Sequence, residues 1–381
     1  MSTGIEAAGL SETQRQIVDL AREFARTRIE PHAAEWDRAR HFPRDVIDEL
    51  GKLGFLGMVA PEAYEGMGLD AVTYALALEE LAAADAGIAA SVNSHSALPT
   101  ALLVRHGTPR QQERWLRPMA NGTLLAGVAL AEADAGSDLA ALAARAARRD
   151  DAWVLDGTKA WVTNGAAADL VVVFARTDAG VSAFLVPTDA SGYRPGTTAD
   201  TMGMRTVGTG AVVLEGVRLP ADHLVGEEGQ GLAYATEGAD AARLGVAALA
   251  VGIARRALEH AVAYCGERRQ FGRALGEFDA VQFKLADMAT RVDAARALAH
   301  VTAARQDRGE DVAAAASMAK LFASEAAMWV TTQAIQLFGG YGYMRDFPVE
   351  KLFRDAKATE IYEGTSEIQR LNVARRLTAG R

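Results

Sequence analysis

Gln336-Leu337-Phe338-Gly339-Gly340-Tyr341-Gly342-Tyr343 closes a long helical pattern, and Asp346, Lys351 and Asp355 follow it at set intervals. The three glycines end the helix and expose backbone groups where a bulky side chain would block a ligand. Upstream, Val251, Ala254, Leu258, Val262 and Cys265 step by three or four residues along one face, the mark of a helix with one buried stripe. Alanine, the strongest helix former, is abundant throughout this part of the chain. Residues 234–381 therefore read as a bundle of long helices.

Downstream of the glycines, Glu363-Gly364 interrupts a helical stretch, and Ser366-x-x-Gln369 reads as a capping box that starts the next helix. Glu363 is flanked by Ile361 and Tyr362. Such a carboxylate is either an ordinary solvated loop glutamate or a group in a partly apolar cleft with a raised pKa, fit to move a proton.

Toward the N-terminus the texture changes. Between residues 126 and 233 the apolar runs are short: Trp153 to Leu155, Leu170 to Phe174, Ala183 to Val186 and Ala211 to Leu214, separated by Gly, Asp, Asn or Pro turns. That is a β domain of short strands, a barrel or sandwich. The strands do not alternate with long helices, which argues against a doubly wound sheet. Residues 1–125 are helical again. Ser11-x-x-Gln14 caps a helix bearing Ile17, Leu20, Ala21 and Phe24; Asp45 to Leu53 and Tyr74 to Ala84 continue the pattern; Pro61 and Gly66-x-Gly68 punctuate it. The predicted class is multidomain α+β, in the order helical, β, helical.

Two segments of the β region carry candidate chemistry. In Val128 to Asp138, small residues and Gly136 let backbone N–H groups approach a flat or anionic ligand, although such a turn is usually only a turn. In Lys159-Ala160-Trp161-Val162-Thr163-Asn164-Gly165, a strand would place Trp161 and Thr163 on one face. That gives an aromatic plane with a hydroxyl, or else a core tryptophan.

Composition removes other classes. The formal charge is −9, from 40 basic and 49 acidic residues, which gives nucleic acid no electrostatic footing. A phosphate-binding P-loop is absent, and Gly226 to Gly231 does not fit G-x-G-x-x-G. The seven histidines are scattered without a partner at ligand spacing, so no metal site is expected. His95, in the small-residue stretch Ser91 to Ser96, is expected to pack or cap. Cys265 is the only cysteine; it allows no intrachain disulfide and reads as a small packed residue. Ala326 to Met344 is the longest uncharged stretch, but Thr331, Thr332, Gln333, Gln336 and three glycines make it a poor membrane span. Met1 to Leu10 carries Glu6 and no basic run, unlike a signal peptide. A cytoplasmic location is expected.

Taken together, the segments resemble the acyl-CoA dehydrogenase family, closest in pattern to its short-chain and short-branched-chain members. The resemblance runs from the Ser11 helix to Arg375. The Gln336 to Asp355 segment fits the family pattern Q-x2-G-G-x-G-x3-D-x4-K-x3-D at every fixed position, and Ile361 to Arg370 is nearly as specific. The resemblance implies an N-terminal helical domain, a middle β domain and a C-terminal four-helix bundle. It also implies an FAD cofactor shared between subunits of a homotetramer, a dimer of dimers.

Carried over by motif, Val128, Leu130, Ala131, Gly136, Ser137, Trp161 and Thr163 would hold the flavin ring. Arg268, with Phe271 and Asp279 nearby, would reach the FAD pyrophosphate across the subunit interface. Gln336, Gly339 and Gly340 would pack on the adenosine side, and Thr365 and Glu367 would complete a site in their own subunit. Asp240 and Arg243 fit the family's D-x-x-R at the thioester and pantetheine end of the substrate, with Ser137 and Gly364 also near it. Glu363 would be the catalytic base. A few branches place the base immediately before the D-x-x-R arginine, and Ala242 there cannot act. Nitroalkane-oxidising relatives use Asp at the base position, which counts against that reading. The implied acceptor is an electron-transfer flavoprotein. The alternatives are an oxygen-reactive oxidase or monooxygenase and a DNA-associated flavoprotein.

Three positions depart from the family pattern. Ala131 replaces a hydroxyl residue before the motif's Glu132, Ala133 replaces Pro, and Asp279 stands where Gln commonly contacts FAD. The backbone contacts are expected to survive, with the flavin's redox tuning left open.

Overall fold

The structure is a computed structural model and describes residues 9–378. The expectation about the first residues falls, up to residue 8, outside that range. The Ser11–Gln14 capping box forms as the sequence predicts: the Ser11 hydroxyl accepts from the Gln14 N–H, and the Gln14 side chain accepts from the Ser11 N–H. It starts α1 (Glu12–Phe24), which buries Ile17, Val18, Ala21 and Phe24. There follow α2 (Ala33–Ala39), α3 (Arg44–Lys52), α4 (Ala71–Ala84), α5 (Ala86–Ser96) and α6 (Leu98–His106). The short α7 (Pro109–Gln111) and α8 (Arg117–Ala120) are joined by a π-helical turn at Gln112–Leu116. Asp70 and Asp85 cap α4 and α5 by accepting from the N–H groups of Thr73 and Ile88.

The middle region holds β1 (Ala126–Ala129), β2 (Arg145–Arg149), β3 (Ala152–Val162), β4 (Leu170–Thr177), β5 (Gly180–Pro187), β6 (Tyr193–Thr198), β7 (Gly210–Pro220) and β8 (Leu224–Val225). They form one mixed sheet in the order β6-β7-β3-β2-β4-β5-β8, with β1 beside β4 and parallel to it. The continuous apolar run of β4 has a cause. Leu170, Val172 and Phe174 face a core shared with Leu103, Trp115 and Leu116 of the N-terminal helices. Val171, Val173 and Ala175 face the sheet's own core with Trp153, Leu155 and Val212. A strand buried on both faces cannot alternate, and each of its large apolar side chains contributes about 1.5–3 kcal/mol by leaving water.

α9 (Gly231–Glu267) begins the C-terminal region, followed by the small hairpin β9 (Arg269–Gln270) and β10 (Arg273–Ala274), α10 (Asp279–Asp307), α11 (Ala313–Phe338), α12 (Val349–Thr359) and α13 (Ser366–Thr378). α12 and α13 pack against α11. Leu244 to Ala254 are all buried, so α9 is wrapped in this part rather than striped. Its N-terminal neighbour is α4: at Gly252 an added Cβ would lie 2.4 Å from the Glu79 carbonyl. The two helical regions therefore share one core. The expected stripe is corrected at its end. Val262 is 44% exposed and Leu258 only partly buried, while Ala257, Ala261 and Cys265 are buried, so the covered face lies to one side of the predicted stripe.

A buried ionic hub joins all three regions. Lys351 on α12 reaches Asp355 at 2.6 Å and Asp85 at 2.9 Å. Asp85 also accepts from the Thr206 hydroxyl at 2.5 Å, and Asp355 from the Met204 N–H at 2.6 Å. Burial alone would lower the Lys351 pKa, but the two carboxylates outweigh it and hold the ammonium above its ordinary value. Gly203 permits the approach: a Cβ there would lie 2.3 Å from the Arg354 backbone. Among the described residues, no helix is long and apolar enough to cross a membrane, and no acidic, His or Cys group is placed to hold a metal.

Candidate active site

Between α12 and α13 the chain turns on two consecutive left-handed residues, Glu363 at φ +55° and Gly364 at φ +88°. The second is easy for glycine; the first is a sparsely populated conformation for glutamate. The turn is held from both sides. The Gln369 amide donates to the carbonyls of Glu363 (3.0 Å) and Gly364 (2.8 Å), and the Lys320 ammonium on α11 donates to the Gly364 carbonyl at 2.7 Å. The expected capping box at Ser366 is corrected here. Thr365 is the cap, its hydroxyl accepting from the Ile368 N–H at 3.4 Å, and Gln369 is turned back onto the Glu363–Gly364 turn instead.

The Glu363 side chain makes no hydrogen bond to another described residue, and neither does its N–H. Glu363 is exposed to solvent as a residue, yet protein packs closely around its carboxyl. The dense surroundings govern the proton, since they decide how much solvent can stabilise the charge. Burial pushes the Glu363 carboxyl up, and Arg243 and Lys320 partly oppose it. Arg243 is paired with Asp240 at 2.8 Å, one turn earlier on α9. Burial holds Asp240 above the usual carboxylate range despite that guanidinium. Glu363, Arg243 and Asp240 are thus brought together as the sequence suggests. Ala242 is buried, with its carbonyl accepting from Asn93.

The β-domain segments converge on a second wall. Val128 bridges Thr163 across β1 and the end of β3. Val162 is buried between a half-buried Thr163 and a Trp161 that is 59% exposed. The backbone is not a plain strand there. Trp161 has φ +52°, and the register with β7 slips between Lys159 and Val162. The loop of Leu130 to Ala144 is fixed from below. Lys159, fully buried, donates to the Leu130 carbonyl at 3.0 Å and to Glu132 at 2.7 Å, and Glu132 also accepts from the N–H groups of Ala143 and Ala144. Burial lowers the Lys159 pKa, whereas Glu132 is held below its usual range in spite of burial. The two shifts pull opposite ways on one pair; three donors on the carboxylate favour the ionised form. Ala131, Gly136 and Ser137 sit at the open side of this loop, and a Cβ on Gly136 would meet open space.

A third group lies apart. Arg268, Gly339 and Gly340 line a cavity of about 530 Å³ with Tyr264, Phe338 and Tyr341. The Arg268 guanidinium lies 5.5 Å from the centre of the Tyr341 ring, a cation–π contact. A Cβ on Gly339 or Gly340 would meet nothing within 4 Å. An exposed cation beside backbone left bare and aromatic surface fits a dinucleotide's diphosphate and base. No β-domain residue lines this cavity, so one chain offers the two halves of such a site separately. Gln336 is exposed and not among the lining residues; Phe271 is 95% exposed; Asp279 is exposed at the start of α10. Glu367 is exposed on α13.

Sequence reasoning missed Lys159, Lys320 and Gln369. A signal existed for Lys320, which falls on the buried stripe Ala316, Ala319, Ala323, Ala327 of α11. His95 proves structural, as expected: Ala126 N–H donates to its Nδ1 at 2.9 Å, which leaves the Nε2 proton for the Met119 carbonyl at 3.2 Å. Burial pushes its pKa down to about 4, so it is neutral.

Comparison with known proteins matches the whole described chain to one family. Three family models match in series: the acyl-CoA dehydrogenase N-terminal domain over residues 11–123, the middle domain over 127–217 and the C-terminal domain over 229–378. The mitochondrial short-chain specific acyl-CoA dehydrogenase of Bos taurus is 42% identical over 381 residues, covering 98% of this chain and 92% of that one. The structure of butyryl-CoA dehydrogenase from Megasphaera elsdenii superposes with a TM-score of 0.95 at 40% identity, over 97% of this chain and 98% of the other. A chain from the electron transferring flavoprotein structure of Acidaminococcus fermentans superposes with a TM-score of 0.96 at 42% identity, over 97% of this chain and 99% of that one.

Proposed function

Since this chain belongs to the acyl-CoA dehydrogenase family of FAD flavoproteins, we propose that it oxidises a short-chain or short-branched acyl-CoA to the trans-2-enoyl-CoA with Glu363 as the base. The observation that carries this reading is the Glu363 carboxylate itself: closely surrounded by protein though still reached by solvent, raised in pKa by those surroundings, and without a hydrogen-bond partner among the described residues.

A thioester acidifies its α C–H bond, but a carboxylate in water is too weak a base to use it. Enclosure raises the base toward the pH of catalysis. The unused Glu363 N–H is free to donate to the thioester oxygen, which stabilises the enolate-like charge as the α-proton leaves. Arg243 and Asp240 border the same cleft and orient the thioester end. When bound, FAD would supply the hydride acceptor, its N5, for the β-hydrogen. Val128, Leu130, Ala131, Gly136 and Ser137, with Trp161 and Thr163, line the ring's side. Arg268, with Phe271, Asp279, Gln336, Gly339 and Gly340, serves the diphosphate and adenosine side of a cofactor shared with a neighbouring subunit. Thr365 and Glu367 complete the site in their own subunit.

This division makes the homotetramer part of the reading, because one chain's Arg268 cavity has no β-domain wall. The units are residues 1–125, 126–233 and 234–381, and the enzyme is cytoplasmic. An electron-transfer flavoprotein takes the electrons. The short-chain reading rests on the relatives named above.

The test is anaerobic bleaching of the bound flavin by a panel of straight and branched acyl-CoA thioesters. Butyryl-CoA or a short branched analogue should bleach fastest, and Glu363→Gln should keep its FAD but not bleach. A panel in which long chains win would overturn the substrate assignment. Bleaching of the Gln variant at an undiminished rate would overturn the base.

A further inference from the structure

We infer that Lys320 and Gln369 form a two-sided clamp that positions Glu363, and that the Lys320 ammonium is also a counter-charge, beside Arg243, that helps keep this base ionised. The inference rests on the reading of Glu363 as the base.

The geometry of the clamp is specific. Gln369 on α13 and Lys320 on α11 converge on the same Gly364 carbonyl, at 2.8 and 2.7 Å, and Gln369 also takes the Glu363 carbonyl at 3.0 Å. The two peptide planes after Glu363 are therefore pinned through their oxygens. A planar peptide held by its oxygen cannot rotate, so ψ of Glu363 and both dihedrals of Gly364 are fixed. Two successive left-handed residues need such external support, since glutamate does not favour that conformation. At Gly364 a Cβ would lie 2.7 Å from the Gln369 amide nitrogen, so the clamp also requires glycine there.

The charge is the second part of the case. Lys320 is wholly buried and makes no ion pair; its one hydrogen bond goes to a carbonyl beside the base. A buried ammonium that only needed a structural partner would be expected on a carboxylate. The charged groups around the base are Arg243 and Asp240 on α9, Lys320 on α11, Glu360 at the end of α12 and Glu367 on α13, with the phenols of Tyr362 and Tyr74 behind. Arg243 already faces Asp240. Lys320 is left as the cation without a close carboxylate of its own. Burial lowers its pKa to about 8, against the pull of Glu363, Glu360 and Glu367, so it is charged at neutral pH.

The experiment follows single-turnover flavin bleaching by butyryl-CoA across pH in the FAD-loaded protein. Lys320→Met removes the donor and the charge, Lys320→Gln removes the charge but keeps a donor, and Gln369→Leu removes one side of the clamp without changing charge. In both Lys320 variants the rising limb of the pH profile should move up by about one unit, as expected for losing an opposite charge nearby. Below the limb their rates should fall about tenfold; Lys320→Gln should recover as pH rises, whereas Lys320→Met should keep the pH-independent loss of a broken clamp. Gln369→Leu should lose rate by one factor at every pH with its limb unmoved. An unmoved limb in Lys320→Gln, with FAD retained, overturns the counter-charge. An undiminished rate in Gln369→Leu overturns the clamp. If Lys320→Met does not fold, Lys320→Gln still decides the charge. Wild-type protein that no acyl-CoA bleaches, by contrast, defeats the functional reading.

Discussion

Asp355 and Glu363 stand eight positions apart, one within α12 and the other just beyond it, and burial pushes both carboxyls up. Their surroundings differ completely. Asp355 is met by the Lys351 ammonium and the Met204 N–H, and through Lys351 it is tied to Asp85. Glu363 has charges in the neighbourhood and no donor in contact. The first carboxylate is saturated and holds three regions of the chain together. The second is left unsaturated at a cost in stability, as the base role proposed for it would require. Two carboxyls whose pKa is raised by their surroundings can thus be told apart by their hydrogen bonds.

The comparison breaks first on Glu363→Gln. Bleaching should fall by about 10²–10⁴-fold, the usual reach of a general base, while the melting temperature holds or rises because an unpaired buried charge is gone. A melting loss like that of an Asp355 variant would erase the distinction. Next in size is Asp355→Asn. Leaving Lys351 with one carboxylate fewer in a buried site should destabilise by about 3–5 kcal/mol, read in urea or thermal unfolding, with FAD-loaded protein that survives still bleaching. Unchanged stability would remove the hub's structural role.

A third buried group sharpens the contrast through pH. The native His95 pKa is lowered to about 4 from 6.5, so between those values the unfolded chain binds more protons and stability rises with pH. The full effect is about 3 kcal/mol, lost as pH falls from 6.5 to 4. Glu363 acts with the opposite sign: its native pKa is raised, so ionising it removes stability as pH rises above the ordinary glutamate range. Unfolding measured from pH 4 to 7 in Glu363→Gln should therefore show a steeper gain with pH than wild type. A shallower slope would mean that Glu363 is not enclosed in solution.

The smallest effect concerns the β-domain wall. Ala131→Thr restores the hydroxyl common at that position and should move the flavin midpoint potential while leaving the thermal midpoint nearly unchanged. A potential identical to wild type would show that the departure at Ala131 is silent.

Element types were largely legible in the chain. Ser11 and Gln14 announced α1, and Gly339 ended α11 at the predicted place. The run Leu170 to Phe174 read correctly as strand, but nothing local told that its two faces serve different cores. Val262 followed a faultless helical period and is nonetheless 44% exposed, because period reports a face and not what covers it. Ser366-x-x-Gln369 matched a capping pattern, yet tertiary contact drew Gln369 onto the Glu363 and Gly364 carbonyls and moved the cap to Thr365. The motifs did name Glu363, Arg243 and Asp240, which the fold brings together. The site's supports, Lys320 and Lys159, were not legible, since a lysine in a sequence looks solvated until the fold removes its water.

The core shared by α4 and α9 bears on how the chain comes off the ribosome. Glu80 and its partner Arg255 are 175 residues apart. At about 5–20 residues per second, the apolar face of α4 is synthesised roughly 10–35 s before the helix that covers it. For that interval the nascent N-terminal third is an incomplete half, with a sticky surface and no mate. A holdase would find a client there, and a chain stopped after the β domain is expected to aggregate instead of giving a smaller soluble protein.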